Sequence, residues 1–235
     1  MTAAAASSSA SVRRLGRPPA SIGDRTRSRI LDAARGCFGD RGYDGTTTRH
    51  IAEVAQLTTA AIYHYYPSKS DLYRAAHAQV HRIIYERYHL SVAGCSTLAE
   101  EFGAVLAASR ELNERDPSLA RFLVTARTDE RRHPEIALEG DDIPPERGRF
   151  HIALVQRAVA RGEIVDDDAQ LVIDTLRTLL AGLVYYASDD LTLQARVIDG
   201  MNRLLGGTLL CASGRPRALA GGSDRRDGAP SAPLR

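Results

Sequence analysis

The 235-residue sequence contains no tryptophan and three cysteines, and its apolar residues never form a long uninterrupted run. Without roughly 20 consecutive apolar residues, no helix is expected to span a membrane. The first ten residues are rich in alanine and serine and lack the apolar segment of a secretory signal, so a cytoplasmic location is expected. Cys37, Cys95 and Cys211 are far apart, which disfavours a disulfide framework and a thiolate metal site.

The whole chain has little net charge, but its charged residues are unevenly distributed. The formal net charge is +2. Residues 1–80 contain eleven arginines and lysines against six acidic residues, a net charge of +5, whereas the remainder of the chain has a net charge of −3. A basic end on a mildly acidic body is typical of a protein that approaches a polyanion with that end.

Alternating polar and apolar residues, the mark of β-strands, are absent, and apolar residues recur at helical spacing instead. An all-α fold of about nine helices is therefore predicted. The predicted helices cover residues 24–39, 47–55, 58–65, 68–90, 98–115, 117–128, 145–161, 167–187 and 191–210. Residues 129–144 contain prolines, glycine and many charges and are predicted to form a mobile connection. Residues 1–23 and 213–235 are predicted to be disordered tails because they lack hydrophobic periodicity.

Two short predicted helices, 47–55 and 58–65, are separated by a break at Gln56 and Leu57. The second begins at a threonine cap, Thr58, which is typical of a helix-turn-helix. A helix that enters the DNA major groove must be short, exposed near its N-terminus and anchored by apolar residues behind it. Leu57 and Ile62 are the predicted anchors. Residues 24–75 are therefore predicted to be a DNA-binding domain.

This passage resembles the TetR family of bacterial transcriptional regulators over about residues 25–75. The family's motifs are matched by Phe38, Gly42-Tyr43, Thr46-Thr47, Ile51-Ala52, Ile62-Tyr63-His64-Tyr65-Tyr66 and Ser68-Lys69-Ser70-Asp71-Leu72. The resemblance implies an N-terminal three-helix DNA-binding domain followed by a helical bundle, here residues 76–212, that binds a ligand and dimerises. It also implies a set of DNA-contacting residues: Thr47, Thr48 and Lys69 at phosphates, and Thr58, Thr59, Ala60, Ala61, Tyr63, His64 and Tyr65 on or beside the recognition helix.

Three positions depart from the family's pattern. Gln56 stands where the turn often has glycine, so it must adopt whatever backbone conformation the turn requires. His50 replaces a common acidic partner of the Thr47 cap, and Thr59 replaces a common basic residue. Because the recognition helix has less positive charge, a larger electrostatic contribution to DNA binding is expected from a basic N-terminal arm with Arg13, Arg14 and Arg17. This arm could enter a minor groove or remain a solvated tail.

The helix predicted at residues 167–187 is apolar around most of its circumference, and the last helix is similarly apolar. Pairing across a two-fold axis, as a bundle of two helices from each subunit, is favoured over burial within a single subunit. The predicted dimer interface consists of Val172, Leu176, Leu179, Leu183, Ile198, Met201 and Leu205.

An effector pocket is expected between the helices of this domain, with mostly apolar walls and a few polar groups. The predicted lining is Phe102, Leu106, Arg121, Phe122, Thr125, Phe150, His151, Tyr185 and Tyr186, with Leu123, Asn113 and Arg127 as further members. This composition suits a hydrophobic or amphipathic small molecule.

These patterns favour a function as a homodimeric repressor, which a small molecule releases from a palindromic operator. One alternative is a DNA-binding regulator that takes a protein partner or no ligand. Another is a small helical enzyme that uses His77, His81 or the acids at 166–168. His77 and His81 are four residues apart, the spacing of a shared metal, but no third ligand is evident and surface or interdomain histidines are the preferred interpretation. No cofactor, metal site or catalytic residue is predicted.

Overall fold

The computed structural model describes residues 22–138, 143–207 and 209. Within these residues the fold consists of nine α-helices with no strand, which confirms the all-α prediction. The helices are α1 (Ile22–Gly45), α2 (Thr48–Ala55), α3 (Thr59–Tyr65), α4 (Lys69–Ser91), α5 (Leu98–Arg115), α6 (Pro117–Arg132), α7 (Pro145–Ala160), α8 (Ala169–Ala187) and α9 (Leu191–Leu205). Short 3₁₀ turns occupy Pro134–Ile136 and Asp166–Asp168. Arg13, Arg14, Arg17 and Cys211 lie outside the described residues.

Two helices extend beyond their predicted ends. α1 continues to Gly45 across a kink at Gly42, whose φ of 70° is readily adopted only by glycine. α6 continues to Arg132, so its last turn occupies residues whose composition predicts a mobile connection. The buried carboxylate of Asp129 and its partners, described below, account for the order of this turn.

The chain packs as two units, and their boundaries differ from the predicted domains. The first unit contains Met1–Val80 together with Arg121–Ile143, and the second contains His81–Ala120 together with Pro144–Arg235. Residues 121–132 of α6 therefore pack in the same unit as α1, α2 and α3, whereas the sequence pattern assigns them to the C-terminal domain.

Aromatic packing forms the centre of the first unit. Phe38, Tyr73 and Phe122 are fully buried, with ring centroids 4.7 Å apart for Phe38 and Tyr73 and 5.2 Å apart for Tyr73 and Phe122. Gly39 permits close approach, because a Cβ added there would lie 3.2 Å from the backbone nitrogen of Phe122. A substituted side chain at this position would force α1 and α6 apart.

In the second unit, α5 packs against α7 and α9, and α8 packs against α7 and α9. α5 begins with a complete capping box between Thr97 and Glu100. The carboxylate of Glu101, only 2% exposed, lies 2.8 Å from the guanidinium of Arg157 and 3.3 Å from that of Arg161. These ion pairs tie α5 to the end of α7.

The stripe predicted as a dimer interface divides into two sets. Leu176 and Leu183 are 2% and 0% exposed, so they belong to the core of their own subunit and this part of the prediction is corrected. The remaining members keep partial or full exposure: Val172, Leu179, Ile198, Met201 and Leu205. Further apolar side chains on the same two helices are exposed: Leu171, Tyr185, Tyr186, Leu191 and Leu204. Whether a residue of α8 is buried or exposed depends on whether it lies on the side of the helix that packs against α7 and α9.

Candidate nucleic-acid interface

The first helix of the predicted motif, α2, is capped at both ends. The hydroxyl of Thr47 accepts a hydrogen bond from the backbone N–H of His50 at 3.1 Å, so the cap functions without an acidic partner at that position. At the other end, Gln56 adopts the left-handed conformation with φ 53° and ψ 47°. The guanidinium of Arg29 donates to the carbonyl oxygen of Ala55 at 2.7 Å. The turn therefore has a helix-ending geometry that glycine usually provides, as the sequence required of Gln56.

The predicted recognition helix, α3, begins at Thr58, whose hydroxyl accepts from the backbone N–H of Ala61 at 3.1 Å. Ile62 is 1% exposed and anchors the helix, as predicted from its position. On the other side, Ala60 and His64 are exposed and Tyr63 is 48% exposed. The helix thus presents small side chains at its N-terminal end and aromatic rings one turn later.

The remaining predicted contact residues of the motif differ in accessibility. Thr47 is exposed, whereas Thr59, Ala61 and Tyr65 are partly exposed. Thr48 is only 8% exposed, so its side chain is packed inside the motif and the predicted phosphate contact by this side chain is corrected. The burial follows from its place on α2, one residue inside the exposed cap.

Lys69 has contacts that its predicted role at a phosphate did not foresee. Its ammonium donates to the carbonyl oxygen of Tyr43 at 2.8 Å and to that of Thr46 at 3.2 Å, and it lies 4.0 Å from the centroid of the Tyr43 ring. These bonds satisfy carbonyls at the end of α1 and in the following turn. At least two of its three donors therefore stabilise the motif internally.

The carboxylate of Asp129, on the last turn of α6, accepts hydrogen bonds from the backbone N–H of Tyr43 at 2.9 Å and from the hydroxyl of Tyr73 at 3.2 Å. Burial and this negative charge raise the pKa of Tyr73 far above its ordinary value. The carboxylate thus joins α6 to the start of the motif and to α4. Sequence reasoning missed it because no local spacing connects residues 86 positions apart.

A second polar contact joins the same regions. The ring of His133 lies 2.9 Å from the carboxylate of Asp44 and 3.3 Å from that of Glu135. The hydrogen bond to Asp44 raises the pKa of His133, and the same bond lowers the pKa of Asp44. This pair fixes the residues that immediately precede the Thr47 cap.

The residues predicted to line one effector pocket are divided between the two units. In the first unit, Arg121 pairs with Asp40, Phe122 is buried beside Tyr73, and the hydroxyl of Thr125 donates to the carbonyl oxygen of Gly39 at 3.0 Å. The other members of the predicted lining belong to the second unit: Phe102, Leu106, Phe150, His151, Tyr185 and Tyr186. Of these, Phe102, Leu106, Phe150 and His151 are buried, while Tyr185 and Tyr186 are 40% and 75% exposed.

The two histidines considered as a metal pair are both buried rather than on the surface, at 3% exposure for His77 and 7% for His81. The Nδ1 atom of His77 lies 3.0 Å from the carboxylate of Glu130. Among the described residues, no group of three or more histidine, cysteine or carboxylate side chains is arranged to hold a metal ion. Asp166–Asp168 form the 3₁₀ turn ahead of α8, where their charges complement the helix dipole without a side-chain cap.

Residues 30–76 match the model of the tetR family of bacterial regulatory proteins, and this range includes α2 and α3. This segment of the chain is therefore similar to the corresponding segment of the bacterial regulators of the tetR family. The HTH-type transcriptional repressor AcnR of Corynebacterium glutamicum is 38% identical over 50 residues, which are 21% of this chain and 27% of that protein. The match thus spans about a quarter of the repressor's length.

Longer similarities cover most of the chain at lower identity. The HTH-type transcriptional regulator UidR of Escherichia coli is 23% identical over 189 residues, which are 78% of this chain and 93% of that protein. The crystal structure of FadR from Bacillus subtilis in complex with stearoyl-CoA superposes with a TM-score of 0.59 at 19% identity, covering 73% of this chain and 95% of that one. Likeness at this identity shows the fold. All three of these proteins are named as transcriptional repressors or regulators. Within the described residues, no helix has the length and apolarity required to cross a membrane.

Proposed function

We propose that this protein is a homodimeric transcriptional repressor that binds a palindromic operator and releases it when a small amphipathic molecule binds the second unit. The observation that carries the proposal is α3, a short, capped helix anchored by Ile62 with Ala60 and Tyr63 exposed. A helix of this form suits insertion into a major groove roughly 12 Å wide. The alanines favour close approach and contact with thymine methyl groups.

The proposed dimer interface consists of the exposed apolar side chains of α8 and α9. Leu171 is 66% exposed, Leu204 is 44% exposed and Leu205 is 40% exposed in the single chain. Large exposed apolar patches mark interaction surfaces. Two copies related by a two-fold axis would cover this face and would present two α3 helices to half-sites about one helical turn, roughly 34 Å, apart.

The proposed response to a ligand uses α4 and α6. Each helix belongs partly to the first unit and partly to the second, since the division falls between Val80 and His81 in α4 and between Ala120 and Arg121 in α6. Ligand that displaces α4 would change the separation of the α3 helices and lower operator affinity by a coupling free energy of about 1–3 kcal/mol. The stearoyl-CoA bound by the FadR relative supports a ligand in this fold. The function entails a cytoplasmic location, since bacterial operators lie there.

Selection of bound DNA from a random pool, with the full chain as bait, tests the proposal. We expect an inverted repeat bound by two chains, with an affinity that falls steeply as salt rises because phosphate contacts release counterions. Failure to enrich any sequence above a non-binding control would contradict it. Small molecules that release the selected DNA would then identify effectors, while a repressor that no small molecule releases would favour a protein partner.

The basic N-terminal arm is a separate part of the proposal. Arg13, Arg14 and Arg17 precede α1, and an extended arginine can enter a narrow A·T-rich minor groove. Deletion of residues 1–20 should weaken operator binding and reduce its salt dependence. Unchanged affinity and slope would show that the arm is a solvated tail.

A further inference from the structure

His151 of α7 is buried in the second unit with both ring nitrogens unused. The residue is 3% exposed, and neither Nδ1 nor Nε2 has a hydrogen-bond partner among the described residues. A buried polar group without a partner is destabilising, so a ligand that pairs with it binds more tightly. Burial, with a smaller effect from Arg177, lowers the pKa of His151 to about 4. The ring is therefore neutral at pH 7 and presents one donor and one acceptor.

Aromatic rings from α4 and α7 surround this imidazole. The ring centroid of Tyr85 lies 6.0 Å from that of His151 and 5.7 Å from that of Phe150. Tyr88 is also near, but its hydroxyl is 2.7 Å from that of Ser109 and serves the core. Tyr85 is only partly buried, and its hydroxyl makes no hydrogen bond to the described part of the chain. The cluster thus combines flat aromatic rings with one hydroxyl that has no hydrogen-bond partner among the described residues.

Two arginines lie beside the same cluster: Arg147 is one turn before His151 on α7, and the guanidinium of Arg177 donates to the carbonyl oxygen of Gly148 at 3.4 Å. Burial raises the pKa of Tyr85, and the charges of Arg147 and Arg177 oppose that rise. Arg147 is partly buried and has no ion pair with a described residue. Arg177 lies 3.9 Å from the carboxylate of Asp174, a loose pairing. Among the described residues, therefore, no carboxylate pairs closely with either guanidinium group.

We propose that α4, α7 and α8 form the effector site and that it takes a hydroxylated aromatic carboxylate. Arg147 and Arg177 bind the carboxylate, Tyr85 and Phe150 pack against the aromatic body, and His151 pairs with the hydroxyl group. Guanidinium groups match carboxylates in geometry and charge, and stacked rings bind planar apolar bodies. This assignment rests on the proposed function for its regulatory meaning, and it narrows the amphipathic effector to one chemical class.

Calorimetry on the full chain without DNA tests the site with three probes: 6-hydroxy-2-naphthoate, 2-naphthoate and 6-hydroxy-2-naphthamide. We expect the hydroxynaphthoate to bind at least about tenfold more tightly than either of the others, because each lacks one recognised group. Arg147→Ala should weaken the hydroxynaphthoate at least about tenfold. The matched control is Arg149→Ala, which removes an exposed arginine from the same helix and should leave binding unchanged.

His151→Leu places an apolar side chain in the buried position and should erase the preference for hydroxynaphthoate over 2-naphthoate. His151→Gln, which retains a donor and an acceptor, should keep part of that preference, and circular dichroism checks that both variants fold. Equal binding of acid and amide, no binding of any probe, or equal losses from Arg147→Ala and Arg149→Ala would overturn the proposal. Because these measurements omit DNA, they fail or succeed separately from the operator selection.

Discussion

The two units of the chain differ in the contacts made by particular buried polar and apolar side chains. In the first, the buried carboxylate of Asp129 has two donors and the hydroxyl of Thr46 donates to the carbonyl oxygen of Cys37 at 3.0 Å. In the second, the buried ring of His151 has no hydrogen-bond partner in the described part of the chain, and Leu171 and Tyr186 are 66% and 75% exposed. The hydrogen bonds of Asp129 and Thr46 hold α1, α4 and α6 of the first unit together. The second leaves groups for a ligand and a second subunit, as the proposed regulator requires.

The first prediction, with the largest expected effect on function, concerns a substitution that should weaken DNA binding by the first unit without disturbing its fold. Ala60→Asp places a negative charge on the exposed N-terminal turn of α3, where it would face phosphates and base edges. We expect operator affinity to fall about 100-fold, measured by fluorescence anisotropy on the selected DNA. Ala107→Asp, at an exposed position of α5, is the control. Equal affinities for the two variants would refute the assignment of α3.

The second prediction concerns the interior of the second unit. Leu176 is 2% exposed, so Leu176→Ala leaves a cavity in the core of each subunit. We expect the free energy of unfolding to fall by about 2–5 kcal/mol, measured by chemical denaturation. Leu171→Ala, on the exposed side of the same helix, should cost much less in a monomeric sample. A small loss of unfolding free energy in Leu176→Ala would contradict the core position and favour a place for this residue in the subunit interface.

The third prediction concerns the exposed side of α9. Leu205→Glu introduces a charge into the proposed dimer interface and should raise the dimer dissociation constant at least about tenfold, measured by analytical ultracentrifugation. Leu90→Glu alters a 71% exposed leucine of α4 outside this face and serves as the control. A dimer that tolerates the change at Leu205 would place the interface elsewhere.

The smallest effect tests the turn of the first unit. Gln56 has φ 53°, a conformation that glycine adopts without steric cost. Gln56→Gly should therefore stabilise the chain by up to about 1 kcal/mol, after the greater entropy of the unfolded glycine is subtracted. The shift of the denaturation midpoint measures it. Gln170→Gly, in the first turn of α8, should destabilise instead, and stabilisation by both variants would reject the conformational explanation.

Local sequence was sufficient for the helices and the motif because both depend on neighbouring residues. The Thr47 and Thr58 caps bond to N–H groups three residues away, and the left-handed turn at Gln56 lies between them. The basic end is likewise a property of the sequence alone, because formal charges are counted along the chain without reference to its folding. Hydrophobic periodicity predicts which apolar residues lie on the same face of a helix.

Only the tertiary structure decided which partner each face meets. Leu176 and Leu205 both looked suitable for a dimer interface, but α8 directs Leu176 into its own subunit and α9 leaves Leu205 exposed. The same limit applied to Lys69, whose ammonium reaches the carbonyl of Tyr43, and to Asp129, which meets Tyr73 across 56 positions of sequence. Such contacts are set by how helices pack, because residues distant in the chain become neighbours only after the chain has folded.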